Sequence, residues 1–525
     1  MCKLFRRFPD DDRLNRLHKL LAHLRPRSAG GNFQTNVAIE CVLDPFYVAL
    51  FAHLANAMRK KNAVQVDLLV SQSYNSAVGF NVVSELVRSF PLNWLMVNQW
   101  VRVWSVVSCS IAYRCTSLRH AGDSFFDVLR AWRVWRQFRS IEDLEALSVE
   151  GIPCGDLVID SYLRFRPSPR LVLGDWFLLR LLWQTYRDVR RAKYYFRQRK
   201  PIAYITTYTT YIHHGIPARV ALQEGVRLIS FGNFQEFGKI HAQSDLFHTR
   251  NTLTYKLDFA RLSDPTALLE VAQSLLDIRL SGGIDTTISY MKVAAHVEKT
   301  NKVPDVQGAV IVFLHDFYDS PHVYADFIFP DFWEWICFTL QTLMTAEIRC
   351  FIKPHPNQIT ISNSVIDELL RRFPEINLIA SEITNRQLAV AGMACAVTVY
   401  GTVANEMAYL GVPTIACARH PQISFNFCRT ATNRTSYGHL LREAISTASN
   451  PKLLRDEALQ FFVMHYLNDH HSRLVLRDSF VTSWKVCLNP LSSAEEIVKC
   501  FEEMAELPGF QDFVEKILSL SLIHI

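Results

Sequence analysis

Three short stretches of this 525-residue chain carry residue types that could do chemistry. Lys353-Pro354-His355-Pro356 sets a lysine and a histidine in a loop that two prolines stiffen, since each fixes φ and removes a backbone donor. Lys353 offers a point charge and His355 a hydrogen bond or a proton near neutral pH, a pair suited to phosphate or pyrophosphate. Tyr400-Gly401-Thr402-Val403-Ala404-Asn405-Glu406 reads as a helix entry. There Gly401 permits close backbone approach, Thr402 can cap, and the unpaired N–H groups at a helix start attract anions. Glu406, a turn further on, suits either ribose hydroxyls or a capping box, Thr402 with Asn405 or Glu406. The third stretch, His315-Asp316-Phe317-Tyr318-Asp319-Ser320-Pro321-His322, fits a divalent metal, a polar loop over a cleft, or a purely structural loop. No matching ligand cluster stands out elsewhere, because His213-His214 and His470-His471 are adjacent pairs that point in different directions; no metal is expected.

Each stretch follows an apolar run of strand length: 310–314, 350–352 and 396–399. In open α/β sheets ligands sit beyond the carboxyl ends of strands, so three such ends in one domain are expected to share a site. Upstream, 66–71, 203–207 and 226–231 read as strands. A helix expected to start at Pro217 and to stop before Gly225 links the last two into a βαβ unit. Residues 151–164 read as loop-like, with acidic and basic groups close together. The fold class is therefore α/β, with two Rossmann-like domains facing an interdomain cleft, a favoured ligand position. The expected division is a basic N-terminal helix and arm (1–35), an acceptor-side α/β domain (36–250), a helical linker (251–305), a nucleotide-donor α/β domain (306–450), and C-terminal helices packing back on the domains (451–525). The chain has no GxGxxG and no GxxxxGK[ST] stretch, which argues against those phosphate loops.

Formal net charge is +6, and the excess is local. Residues 186–200 mix cations with aromatics, and a second basic cluster lies in 1–27; such patches meet anionic lipid or nucleic acid, or form a solvated helix face. The twelve cysteines are scattered without CxxC pairs and read as reduced, mostly buried thiols. The N-terminus leads into charge rather than an apolar core, so no signal peptide is expected. Residues 92–113 carry Arg102 and several polar residues and read as a buried or interfacial helix rather than a membrane span. A cytoplasmic protein, peripheral to the inner face of the cell membrane, is expected.

Lys353-Pro354-His355-Pro356, about forty residues, then Tyr400-Gly401-Thr402, Glu406 and Gly411-Val412-Pro413 resemble the C-terminal domain of GT-B-fold transferases that build bacterial surface polysaccharides. The resemblance is to the capsule polysaccharide biosynthesis proteins, Kdo-transferase types included, and more distantly to sialyltransferases and CDP-glycerol glycerophosphotransferases. It implies that His355 and Pro356, and Gly401 and Thr402, contact the nucleotide phosphate, with Lys353, Tyr400 and Asn405 beside them and Glu406 near the ribose. It also implies an inverting, metal-independent glycosyltransferase. The nucleotide-sugar donor, a CMP-linked acidic sugar such as Kdo among the options, is a substrate, so no cofactor is expected. The acceptor is a growing glycan or glycolipid, and nucleic acid is not a partner. An acceptor hydroxyl must lose its proton; His355, Asp160, Asp316 and Asp319 are the catalytic candidates, with the base unassigned. Arg164, Arg219 and Ser320 are candidates for holding an acidic donor or acceptor. A CDP-polyol phosphotransferase and a non-catalytic assembly partner are the alternatives.

Overall fold

The structure is a computed structural model that describes residues 12–26, 35–69 (without 43 and 63), 103–111 (without 109), 118–283 (without 167 and 235), 302–355 and 362–519 (without 447, 448 and 470). The chain forms two compact units. The first comprises 1–166, 172–248 and 470–525, the second 167–171 and 249–469.

The first unit is built on β1 (Thr35–Glu40), β2 (Val64–Leu69), β3 (Ser110–Ile111), β6 (Ala203–Thr206), β7 (Arg227–Phe231) and β8 (Gly238–Ile240), in the order β3-β2-β1-β6-β7-β8. All neighbours are parallel except β7 with β8. A small hairpin, β4 (Ser148–Val149) with β5 (Ile152–Pro153), stands apart. Strands covered on both faces read as continuous apolar runs, and every residue of β6 is buried. The helix Pro45–Lys61 shows the same logic. Asp44 caps the amide of Phe46 at 2.8 Å, Pro45 occupies the first turn where its missing N–H costs nothing, and buried residues circle the helix. The C-terminal helices His471–Leu488, Ala494–Ala505 and Pro508–Ser519 complete this core. Phe480 and Phe501 set their rings edge-on to Phe46 at 5.3 and 5.1 Å.

The second unit repeats the arrangement. β9 (Val310–Phe313), β10 (Cys350–Lys353), β11 (Asn377–Leu378), β12 (Cys395–Val397), β13 (Thr414–Ala416) and β14 (Cys428–Thr430) run all parallel in the order β11-β10-β9-β12-β13-β14. Each sheet thus has one strand, β1 or β9, from which the chain first winds outward one way and then resumes on the other side. That is the doubly wound Rossmann order, and its switch point lies between β1 and β6 in one unit and between β9 and β12 in the other. The helices Tyr255–Phe259 and Thr266–Leu280, expected as linker, belong to the second unit and share an apolar cluster with Pro451–Phe462.

Two local expectations are corrected, at 155–164 and at Pro217. Residues 155–164 are not a loop but the helix Gly155–Phe165, nine of whose residues are buried. Pro217 does not start its helix; it lies inside Tyr211–Gln223, where the chain continues past the missing N–H. The basic run 186–200 lies in the helix Trp176–Arg199, and most of its cations are held within the unit. Arg190 pairs with buried Asp127 (2.7 Å), Arg197 with Glu224 (2.8 Å), Arg199 with buried Asp67 (3.0 Å), and Lys193 donates to the Glu150 carbonyl (2.7 Å). Residues 1–11, most of 92–113, and Pro356 lie outside the described residues.

Candidate functional site

The three chemically loaded strand ends belong to neighbouring strands. β10, β9 and β12 lie side by side, with Lys353 in register with Phe313 and Val397 with Val312. Their carboxyl ends therefore meet at the switch point of the second sheet, where the Rossmann order leaves a crevice.

Lys353 is the last residue of β10 and is 6% exposed. Its ammonium has no hydrogen-bond or ion-pair partner among the described residues. Burial lowers its pKa, and the carboxylates of Glu406 and Glu382 act in the opposite direction without touching it. A buried charge is costly unless paired, so this lysine is a cation prepared for an anion. Two residues on, the His355 side chain is exposed. The protein around it lowers its pKa; Asp316 and Asp319 raise it, and Lys353 lowers it further. The four ionisable groups are thus within electrostatic reach of one another.

The 315–320 loop is organised from within. Asp316 Oδ1 accepts from the Tyr318 amide (3.1 Å) and from Ser362 Oγ (3.0 Å), and Asp319 Oδ1 accepts from the Ser320 amide (2.9 Å). His315 Nε2 accepts from the Val399 amide (3.3 Å) and lies 3.1 Å from Thr398 Oγ1, which takes the Gly401 amide (3.3 Å). The ring stacks on Phe332 at 4.9 Å, and burial pushes its pKa down to about 3. His315 is therefore a neutral acceptor that ties the end of β9 to the end of β12. Gly401 is explained by the same knot: a Cβ there would press on Thr398 Oγ1 at 2.8 Å.

Other expected roles change. Thr402 makes no capping bond, and the helix that follows, Val403–Tyr409, is a short one. Glu406 is buried; its Oε2 takes Asn385 Nδ2 at 2.8 Å and its Oε1 lies 3.8 Å from buried Arg279, so it is an internal brace rather than a ribose acceptor. Asn405 is 1% exposed and neither side-chain polar atom has a partner, so it answers no cap. Ser320 is buried, and its carbonyl receives the Tyr400 hydroxyl at 2.9 Å. The remaining candidates lie in the first unit. Asp160 is 1% exposed on the inward side of Gly155–Phe165, sealed from any substrate, and Arg164 is in the same helix's last turn. Arg219 is held within the first unit. It is 4% exposed, donates to the Pro153 carbonyl (2.8 Å) and grips both oxygens of Asp156.

Sequence reasoning missed the braces Ser362, Asn385 and Arg279, which lie in helices whose polar members carry no motif. It also missed Glu40 and His214, which meet at the switch point of the first sheet with Nδ1 2.5 Å from Oε1. The available signal was a glutamate closing the apolar run 37–39. Among the described residues no group of three or more His, Cys, Asp or Glu side chains could hold a metal ion.

No family model matches the chain, and neither does any curated protein. Among solved structures it is similar to the UDP-GlcNAc 2-epimerase of Methanocaldococcus jannaschii in complex with UDP-GlcNAc and UDP, at 8% identity over 80% of this chain and 97% of that one, TM-score 0.25. It is similar as well to TcCGT1 in complex with UDP, at 11% identity over 90% and 99%, TM-score 0.24. The calicheamicin glycosyltransferase CalG4 matches at 10% identity over 90% and 98%, TM-score 0.23. The fold does not rest on these likenesses but on the two strand orders: this is an α/β chain of two doubly wound, Rossmann-like units.

Proposed function

We propose that the second unit binds the phosphate of a nucleotide-sugar at Lys353 and His355, and that the chain is a metal-independent glycosyltransferase acting on a surface glycan or its lipid-linked precursor. The observation that carries this reading is Lys353 itself, 6% exposed at the carboxyl end of β10, whose ammonium has no hydrogen-bond or ion-pair partner among the described residues. A phosphate oxygen there would supply the missing counter-charge and gain a charge-assisted hydrogen bond. His355, exposed and flanked by two carboxylates, is placed to hydrogen-bond a second phosphate oxygen or to protonate it as the leaving group departs. The donor class, a CMP-linked acidic sugar such as Kdo, rests on the resemblance of the 353–356 and 400–413 motifs alone. The test is calorimetry of the whole chain against CMP, CDP, UDP and GDP: binding of at least one, lost in His355→Ala and Lys353→Met, supports the proposal, and no binding to any ends it.

The lipid contact expected of 186–200 moves to a neighbouring surface. The outer face of the helix Leu118–Trp135 exposes Phe125 (62%), Phe126 (60%) and Trp132 (40%) beside the exposed Arg133 and Arg136, with Arg136 stacked over Trp132 at 4.9 Å. Exposed Trp176 (71%) adjoins it through Trp135, ring to ring at 5.2 Å. Aromatics among arginines on one helix face suit an anionic membrane interface. No helix among the described residues is long and apolar enough to cross a membrane.

A further inference from the structure

We propose that Glu40 and His214, at the carboxyl ends of β1 and β6 in the first unit, form a hydroxyl-binding, proton-accepting site, and that His214 Nε2 is the base that deprotonates a sugar or polyol acceptor. The assignment of an acceptor rests on the transferase reading above; the geometry of the pair does not.

Glu40 is the last residue of β1 and is 1% exposed. Its Oε1 faces His214 Nδ1 at 2.5 Å, while Oε2 lies 2.6 Å from Thr206 Oγ1 and accepts from the Thr207 amide at 3.3 Å. Those threonines close β6 and begin the next loop, so the carboxyl is fixed from both strands of the switch point. A carboxylate only accepts, so Nδ1 carries a proton, and in the tautomer that can act as a base the lone pair lies at Nε2. Nε2 has no hydrogen-bond partner, yet it is not among the side-chain atoms sealed from solvent without one, as the neighbouring His213 Nδ1 is. A carboxylate that orients an imidazole whose far nitrogen is bare and solvent-reachable is the arrangement a general base needs.

The surroundings hold this ring in place. Tyr211 keeps φ +60, a conformation that a bulky residue adopts only when the fold imposes it, and stacks on His213 at 5.8 Å. Gly215 lets the helix approach closely, since a Cβ would strike the Thr209 carbonyl and the Leu157 side chain. The titratable groups facing His214 are Glu40, His213 (ring 3.9 Å away), Tyr208 (5.8 Å) and His248, which packs on Tyr208 at 5.2 Å; Tyr47 joins through its hydrogen bond to Tyr208 (3.2 Å). Burial keeps His213 and His248 neutral, the latter with its pKa down to about 3, so neither competes as a cation. In the step itself the acceptor O–H bond breaks, its proton passing to Nε2 and its electrons staying on the oxygen.

Two measurements on the whole chain test this. The first is carbethoxylation by diethyl pyrocarbonate, read residue by residue by mass spectrometry. His214 should react at least tenfold faster than His248 and His213, and Glu40→Gln should slow it; an inert His214 overturns the proposal whatever the chain's substrate. The second is nucleotide release from the nucleotide-sugar whose nucleotide binds best by calorimetry, measured with water and with glycerol as acceptors. Each of His214→Asn and Glu40→Gln should cut turnover by about 100-fold or more while nucleotide affinity stays within twofold. Wild-type turnover in a folded His214→Asn overturns the base but leaves the donor reading standing. Absence of nucleotide binding by the wild type ends the donor reading, and the modification rates then judge the pair alone.

Discussion

Replacing Lys353 by methionine separates the ligand-binding reading from a structural one, because the two predict opposite stability changes. The lysine is 6% exposed and its charge has no direct partner. Burial lowers its pKa, so holding it charged costs the fold free energy. Methionine has similar length and no charge, so Lys353→Met should leave the unfolding free energy unchanged or raise it by about 1 kcal/mol. The same change removes a charge-assisted hydrogen bond to phosphate, about 1.5–3 kcal/mol, so nucleotide affinity should fall roughly 10- to 150-fold. The assay is a paired one: urea unfolding without ligand, and calorimetry with the nucleotide that the wild type binds best. A variant that loses 2 kcal/mol or more of stability would show that Lys353 is a structural ion-pair member. A stable variant with unchanged affinity would show that the phosphate lies elsewhere.

Arg219→Ala should destabilise the first unit by about 3 kcal/mol, since it strands Asp156 and the Pro153 carbonyl around a buried guanidinium site; a loss under 1 kcal/mol in urea unfolding would refute this. Acid should unfold the chain early. Burial depresses His53, His241 and His420 to about 4 and His248 to about 3, below the unfolded value of about 6.5. The unfolded chain then takes up protons that the folded one refuses, so stability is full above pH 6.5 and falls as pH drops from there towards 4. Each histidine contributes up to about 1.4 kcal/mol per pH unit in that window, and a urea midpoint that stays flat from pH 7 to 5 contradicts the burial argument. On the surface, Arg133→Glu/Arg136→Glu and Phe125→Ser/Phe126→Ser should each reduce flotation with phosphatidylglycerol vesicles severalfold, while pure phosphatidylcholine vesicles capture little of any form. Equal flotation of wild type and both variants removes the lipid proposal.

The parts legible in the sequence were those fixed by local rules. The runs 310–314, 350–352 and 396–399 read as buried strands because strands covered on both faces must be continuously apolar, and the structure makes them three neighbours. The loop expected to begin at Lys353 begins one residue later, because Lys353 still belongs to β10. What failed depended on partners distant in the chain. Glu406 looked free for a ribose because nothing local reveals Asn385 or Arg279, and Arg219 looked free because Asp156 lies 63 residues away. The helix Gly155–Phe165 escaped because two glycines, a proline and Asp156 at 151–156 mimic a turn, while the periodicity that buries Leu157, Val158 and Ser161 needs the facing helix to be seen. For the basic run the partners were what escaped: Asp67, Asp127 and Glu224, which pair with it, come from three other elements.

The two sheets share a strand order but differ at their switch points in a way that composition alone would not suggest. One carries a largely buried lysine and the other a buried carboxyl paired with an imidazole; among the described residues the lysine and the far nitrogen of that imidazole have no hydrogen-bond partner. If both were structural, each should be replaceable at little functional cost by an apolar residue, and an orphan ammonium should not persist where a methionine would be at least as stable. A group that costs the empty fold and sits where doubly wound sheets bind ligands is better understood as stabilising a bound state. A transfer with a phosphate leaving group, as proposed above, needs a positive charge to meet the departing oxygen and a base to take the incoming proton. The two sites can be judged separately: Lys353→Met should weaken nucleotide binding without touching the reactivity of His214, and Glu40→Gln should do the reverse.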